Sequence, residues 1–118
     1  MVADDRAISA ISRETGTDAW VMYAVKQGML EMVKQSAKAK AAFSAFPEGF
    51  VAAKTGTPET GLEAFGQSSH SVLICYAPAD NPEIAISIVI EHGAAGSNSL
   101  PCAARILEEY FNINKDSE

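Results

Sequence analysis

The 118-residue sequence has little of several features that mark particular classes of protein. It contains two cysteines and two histidines, and their spacing matches no zinc or redox motif. No apolar run approaches the roughly 20 residues of a membrane span, and no signal peptide opens the chain. We therefore expect a soluble chain with no transmembrane segment. Cys75 and Cys102 are expected to be buried small apolar residues rather than a disulfide or a reactive thiol.

Positive charge is also scarce, since 9 Lys and Arg stand against 15 Asp and Glu, a net charge of −6. An acidic chain lacks the basic face that phosphate binding needs, so we expect no nucleic-acid partner. The basic side chains gather in the first half, as Lys34, Lys38, Lys40 and Lys54. They fit either a solvated helix end or a positive field near an anion site, and the sequence leaves both open.

The remaining composition is that of a small globular domain, with 47% hydrophobic and 20% charged residues. Two segments have strong helical periodicity. The first runs from Asp18 to about Lys38, and the second has Pro101 in its first turn, after a flexible loop at residues 93–99. A short helix is also predicted at Arg6–Arg13. The predicted buried stripes are Val21, Val25, Met29, Met32 and Val33 in the first segment, and Ala103, Ile106, Leu107, Tyr110 and Phe111 in the second.

Three segments between these helices have the pattern of strands: residues 50–55, 71–77 and 84–91. The third alternates most clearly, because four isoleucines at every second position share one face. A short turn with two prolines makes the last two strands antiparallel. The order predicts an α+β fold, an antiparallel three-strand meander with helices packed on it. Such a sheet has two exposed edges, so we expect further strands or a partner.

The sharpest candidate site is Lys54-Thr55-Gly56-Thr57, at the end of the first predicted strand. A lysine supplies fixed positive charge, and a glycine between two threonines lets a ligand approach the backbone. This group suits recognition of a carboxylate along a strand edge. A P-loop is excluded because no glycine-rich loop leads into Gly-Lys-Ser/Thr. His70 and His92 are expected to be ordinary polar residues at strand ends, with no metal bound.

Residues 51–59 resemble the Lys-Thr-Gly strand of the penicillin-binding proteins, the serine D,D-transpeptidases that cross-link peptidoglycan. Residues 25–33 resemble the helix before that strand, residues 76–85 the turn between the last two strands, and residues 100–111 the C-terminal helix. The segments follow the family's order. Two features depart from it: Pro58 stands where the family often has Ala, and residues 70–74 lack an aromatic pair common there.

The family uses three motifs, Ser-x-x-Lys, Ser-x-Asn and Lys-Thr-Gly, and only the third occurs in this sequence. The resemblance implies that residues 1–118 are a C-terminal fragment of one transpeptidase domain, part of the family's α/β sandwich. In this division residues 1–20 are a leader, residues 21–112 hold the helices and strands, and residues 113–118 are a frayed tail. The nucleophile is then expected upstream, and the chain alone is predicted to be inactive.

The resemblance also implies a chemistry. An upstream serine attacks the carbonyl between two D-alanines of a peptidoglycan stem peptide, breaks the bond to the terminal D-alanine and forms an acyl-enzyme. An amine on a neighbouring stem peptide then takes the acyl group. β-Lactams mimic the D-Ala-D-Ala end and trap the same serine. Lys54 would supply positive charge and a hydrogen bond to the Ser-x-Asn serine. Thr55 and Thr57 would bind the substrate or antibiotic carboxylate, the Thr57 N–H would be an oxyanion donor, and Gly56 would let the substrate lie alongside the strand. No cofactor is implied.

The implied partners are the stem peptide, β-lactams and the upstream part of the same domain. The parent protein is expected at the outer face of the bacterial cytoplasmic membrane, anchored by a segment outside this sequence. Two other interpretations stay open. One is a non-enzymatic module that binds the carboxylate of D-Ala-D-Ala or a β-lactam. The other is a β-lactamase fragment, which shares Lys-Thr-Gly but fits residues 76–85 less well.

Overall fold

The computed structural model describes residues 15–113. The predicted helix at Arg6–Arg13 and nearly all of the predicted tail lie outside the described residues. Within them, three α-helices are α1 (Ala19–Gln35), α2 (Ala37–Ala42) and α3 (Leu100–Tyr110), and the strands are β1 (Ala52–Gly56), β2 (Ser71–Ala77) and β3 (Ile84–Ile90). Short 3-10 turns occupy Glu63–Phe65 and Gly96–Ser99. The three strands predicted from alternation are therefore confirmed, with small changes at their ends.

The strands form one antiparallel sheet in the order β1-β2-β3, so the predicted meander and α+β class are confirmed. Alternation along β2 divides the sheet into two faces. We call the side that carries Leu73 and Cys75 the closed face, and the side that carries Ile74 and Tyr76 the open face. The register sets Thr55 opposite Leu73 and Lys54 opposite Ile74, so these two β1 side chains lie on opposite faces.

The closed face holds the main core. Helix α3 lies over it through Leu100, Ala103, Ala104 and Leu107, all of which are buried. Three isoleucines of β3 pack against the same core, as alternation predicts, although each stays partly exposed: Ile84, Ile86 and Ile88. Three phenylalanines meet at one end of this core: the Phe46 and Phe50 rings stack with centroids 5.3 Å apart, and the Phe111 ring meets both edge-on. Aromatic pairs of this kind stabilise the fold beyond the contribution of the apolar surface that they bury.

The first predicted helix is two helices. Helix α1 ends at Gln35, and Ser36 takes an extended conformation before α2 begins. The Ser36 Oγ accepts a hydrogen bond from the Ala39 N–H at 3.2 Å, which caps α2. Apolar periodicity alone did not reveal this break, because Ser36 falls on a position that either one or two helices would leave polar.

Several residues assigned to buried stripes are exposed. Val25 is 52% exposed, and Ile106 and Tyr110 are 44% and 47% exposed. The buried stripe of α3 includes Ala104 and Leu107, and Ile106 lies outside it. The expectation that both cysteines are buried is wrong for Cys102, which is exposed on α3, and right for Cys75, which is 2% exposed on β2.

Within residues 15–113, the open face is covered only near β1. Helix α1 buries Met29 against Ala52 and Ala79, while Ile74 and Val89 are 52% and 70% exposed. A groove of about 700 Å³ runs between α1 and β2–β3, and its walls are mainly apolar. Among the described residues, no helix has the length and apolar character that crossing a membrane requires.

Candidate active site

The predicted site residues lie together at the outer edge of the sheet. Lys54, Thr55 and Gly56 form the last part of β1, and Thr57 follows directly. In the described part of the chain β1 pairs only with β2, so its other edge is open to a ligand. An extended peptide can join such an edge through its backbone, which is the common mode of strand addition.

Lys54 is exposed on the open face, and its Nζ donates a hydrogen bond to the Thr55 carbonyl at 2.7 Å. An ammonium group has three N–H donors. The bond to Thr55 uses one of them and holds the positive charge close to the strand edge. Lys54 is thus placed to attract an anion that lies along β1.

Gly56 lies where the sheet is tightly packed. A Cβ at this position would stand 2.8 Å from the Val72 Cγ2 atom, closer than carbon atoms approach. The glycine therefore keeps β1 close to β2 as well as leaving its outer side free of a side chain. The half-buried Thr55 is directed to the closed face, away from Lys54.

Thr57 is exposed, but its hydroxyl is held in place. The Thr57 Oγ1 accepts a hydrogen bond from the Gly96 N–H at 2.9 Å. A hydroxyl has one proton to donate in addition to its acceptor positions. Because the bond from Gly96 occupies an acceptor position, the Thr57 proton remains available to a carboxylate oxygen.

Gly96 lies against the backbone of the site. A Cβ on Gly96 would stand 2.3 Å from the Gly56 carbonyl oxygen. The Gly96 carbonyl in turn accepts a hydrogen bond from the Ser71 Oγ at 3.1 Å, and the Ser71 Oγ lies 2.5 Å from the Ser99 Oγ. Both serines are completely buried. The segment predicted to be a flexible loop, residues 93–99, is therefore fixed in its second half.

Sequence reasoning missed Ser71, Gly96 and Ser99 as parts of this site. A signal was present for Ser71, because it shares the closed face with Leu73, Cys75 and Ala77. A polar side chain at one end of an apolar face needs a hydrogen-bond partner. No comparable pattern identified Gly96, since its contact with Gly56 joins residues 40 positions apart.

A second groove, of about 520 Å³, opens beside Thr57 and is bordered by Glu63, by residues 66–69 and by Ala94 and Ala95. Its loop is organised by the Glu63 carboxylate, which accepts hydrogen bonds from the Thr60 N–H at 2.7 Å and the Ser69 hydroxyl at 3.1 Å. These bonds, the Thr60 N–H foremost, lower the pKa of the Glu63 carboxyl. The negative charge of Glu63 repels an anion from this groove. An anionic ligand at Thr57 is therefore favoured on the side where Lys54 lies.

The two histidines, far apart in sequence, are in contact. Their ring centroids lie 4.9 Å apart, and the His92 N–H donates to the His70 Nδ1 at 2.9 Å. The described residues contain no group of three or more ligands suited to a metal ion. The pair joins the start of β2 to the end of β3.

The four lysines that the sequence analysis singled out do not form one cluster. Lys38 on α2 reaches the Gly96–Ser99 turn, where its Nζ donates to the Ser97 Oγ at 3.3 Å. Lys34 and Lys40 instead border a separate cleft between α1 and the turn before β1. The sequence left two interpretations open for these lysines, a solvated helix end and a positive field near an anion site. The structure supports the second for Lys38 and Lys54 but not for Lys34 and Lys40.

These features define a class of protein: an antiparallel sheet, backed by a C-terminal helix, whose edge strand ends in Lys-Thr-Gly. Comparison with known families agrees with this class. The family model of the penicillin-binding protein transpeptidase domain matches residues 14–111. The chain therefore belongs to the penicillin-binding protein transpeptidase domain family.

Two curated relatives have related sequences. Penicillin-binding protein 2B of Streptococcus pneumoniae is 36% identical over 69 residues, which is 54% of this chain and 10% of that protein. The peptidoglycan D,D-transpeptidase PbpA of Mycobacterium tuberculosis is 31% identical over 70 residues, 54% of this chain and 14% of that protein. The chain thus spans about a tenth to a seventh of the length of these relatives.

Solved structures show the same fold. Penicillin-binding protein A of M. tuberculosis, as a ceftriaxone acyl-enzyme, matches 75% of this chain and 20% of its own, with a TM-score of 0.63 and 26% identity. The imipenem acyl-enzyme of the same protein matches 84% of this chain and 21% of its own, with a TM-score of 0.68 and 24% identity. The relatives are thus peptidoglycan D,D-transpeptidases, which are serine acyl-transferases, and one of them forms covalent β-lactam complexes.

Proposed function

We propose that this chain is the C-terminal part of a peptidoglycan D,D-transpeptidase domain and supplies the Lys-Thr-Gly side of its active site. The observation that carries the proposal is the placement of Lys54 and Thr57 along the open edge of β1, with the Thr57 hydroxyl held by Gly96. The division of residues 1–118 into leader, core and tail remains part of this proposal.

In the proposed reaction the stem peptide lies along the outer edge of β1, with its terminal carboxylate at Thr57 and Thr55. Lys54 stabilises the bound anion through its positive charge and donates a hydrogen bond to the serine of the Ser-x-Asn motif. The Thr57 N–H is one of the two donors to the oxyanion of the tetrahedral intermediate, a contribution of about 3 kcal/mol per donor in other acyl-transfer enzymes. β-Lactams bind in the same position through their carboxylate.

The nucleophile must come from outside this sequence, which contains no Ser-x-x-Lys. The apolar open face and the outer edge of β3 are the surfaces where the remainder of the domain would pack. We place the parent protein at the outer face of the cytoplasmic membrane, where its substrate is.

A second candidate is a module that binds the same carboxylate without catalysis. The observation that favours it is the bond from the Gly96 N–H to the Thr57 Oγ1, which leaves the hydroxyl proton free for a carboxylate whether or not a nucleophile is nearby. It shares the binding chemistry of the first proposal and differs only in whether an acyl-enzyme forms when the chain is joined to a Ser-x-x-Lys segment.

Titration of the ¹⁵N-labelled chain with an N-acetylated peptide ending in D-Ala-D-Ala tests the binding step. We expect saturable amide shifts at Gly56, Thr57 and Gly96. Lys54→Met and Thr57→Val should each weaken binding at least fivefold, whereas the matched controls Lys34→Met and Thr17→Val should not change it. Shifts that leave β1 unaffected would contradict the proposal.

Intact-mass measurement after incubation with benzylpenicillin tests the missing nucleophile. We expect no covalent adduct on this chain, because no serine in it has the lysine partner that activates the family's nucleophile. An adduct on any of its serines would show that the chain supplies its own nucleophile and would overturn the proposed division.

A further inference from the structure

We propose that Ser99, Ser71 and Gly96 act as a positioning unit that fixes the Thr57 hydroxyl for carboxylate binding. The importance of this unit for binding rests on the proposed function of Thr57. Its geometry does not, since all of its contacts are within the chain.

The hydrogen bonds of the unit have one consistent direction. Ser71 donates its only hydroxyl proton to the Gly96 carbonyl at 3.1 Å. The short contact of 2.5 Å between the two serine oxygens must then be donated by Ser99. Gly96 donates its N–H to the Thr57 Oγ1 at 2.9 Å. Gly96 is therefore held on its carbonyl side by the serines while its amide holds Thr57.

Burial makes this arrangement specific. Ser71 and Ser99 have no exposed surface, and a buried hydroxyl that loses its partner is destabilising, so the two serines favour a single arrangement. Because Gly96 has no side chain, its backbone can lie against the backbone of Gly56. The unit thus fixes both the position of the strand end and the side-chain rotamer of Thr57.

The direction of the bonds determines what Thr57 can recognise. Its Oγ1 accepts from Gly96, so the hydroxyl proton is free to be donated outward. A carboxylate oxygen accepts this proton in a charge-assisted hydrogen bond, whereas a carboxamide offers only a neutral carbonyl oxygen as acceptor. This unit therefore makes Thr57 favour the acid over the amide form of a ligand.

Rotamer measurement on the chain itself tests the unit without any ligand. Three-bond couplings from the Thr57 Cγ2 atom to the backbone nitrogen and carbonyl carbon should show a single χ1 rotamer in the wild type. Ser99→Ala should give averaged couplings at Thr57 and unchanged couplings at Thr55. Ser36→Ala, which removes a hydroxyl from a helix cap, is the matched control and should leave Thr57 fixed. A single Thr57 rotamer in folded Ser99→Ala would overturn the proposal.

A second variant keeps the test decisive if Ser99→Ala does not fold. Thr57→Val removes the hydroxyl that accepts from the Gly96 N–H. The temperature coefficient of the Gly96 amide proton shift should therefore become more negative and reach the value typical of an amide without an intramolecular acceptor. An unchanged coefficient would show that Gly96 does not hold Thr57.

Ligand selectivity separates this inference from the proposed function. The wild type should bind the acid form of the D-Ala-D-Ala peptide at least fivefold more tightly than its C-terminal amide, and Ser99→Ala should reduce that ratio toward one. Equal binding of both forms by the wild type, with Thr57 still in one rotamer, would contradict the proposed carboxylate role and the selectivity inferred from it, while the single rotamer would still support the positioning of Thr57 by the unit.

Discussion

The two faces of the sheet differ in how completely they are packed. The closed face is covered by α3 and has Leu73 and Leu107 almost fully buried, at 1% and 0% exposure. The open face leaves half or more of Ile74 and Val89 exposed beside an apolar groove. Both faces belong to the same short strands, so strand sequence alone does not determine burial. Burial is determined by the helices that lie on each face. The site lies at the edge where the two faces meet.

The largest expected difference between the faces is in side-chain truncation. Leu73 and Ile74 are neighbours on β2 and point to opposite faces. Leu73→Ala leaves a cavity in the closed-face core and should lower the free energy of unfolding by about 3–4 kcal/mol. Ile74→Ala should lower it by about 1 kcal/mol, because the side chain is half in water already. Urea unfolding of both variants measures the difference, and equal losses would show that the open face is packed as well as the closed one.

The cysteines allow a comparison by pH. Burial on the closed face raises the pKa of the Cys75 thiol from its usual 9.0 to about 11. Between these values the unfolded chain has lost the proton that the folded chain keeps, so stability falls as pH rises. The loss should reach about 2 kcal/mol at pH 10.5.

Urea unfolding at pH 8 and at pH 10.5 measures this loss. Cys75→Ala should remove about 2 kcal/mol of the alkaline decrease. The exposed Cys102 provides the control, since Cys102→Ala should leave the decrease unchanged. The same decrease in wild type and Cys75→Ala would contradict the raised pKa.

The smallest expected difference is between two helix starts. The Ser36 side chain caps α2, which packs beside the closed-face core, whereas Asp18 at the start of α1 makes no capping hydrogen bond. Ser36→Ala should lower the free energy of unfolding by about 1 kcal/mol. Asp18→Ala should lower it by less than about 0.5 kcal/mol, since only its interaction with the helix dipole is lost. Thermal unfolding of the two variants compares them, and a larger effect at Asp18 would be contrary to the observed capping.

Much of the fold followed from sequence because alternation and turn residues act locally. The strands, the antiparallel hairpin and the position of Pro101 in α3 needed no knowledge of distant contacts. The break at Ser36 and the exposure of Ile106 were not predictable in this way. Ser36 suits a polar position in either one or two helices, and tertiary contacts bury Ala104 on α3 while leaving Ile106 exposed.

The site divides in the same manner. Lys54 to Thr57 were found because the four residues adjoin in sequence and carry a recognisable chemistry. The support behind Thr57 was not found, since Ser71, Gly96 and Ser99 come together only through folding. Contacts between segments 25 to 40 residues apart leave no local periodicity by which a sequence could reveal them.

The position of a bound ligand tests the central claim most directly. In crystals of the chain soaked with a peptide ending in D-Ala-D-Ala, we predict the peptide along the outer edge of β1. Its carboxylate should lie within about 3 Å of the Thr57 Oγ1, a hydrogen-bond distance. A peptide seated in the apolar groove of the open face, or in the groove beside Glu63 with no bond to Thr57, would contradict the claim that β1 is the carboxylate-binding edge.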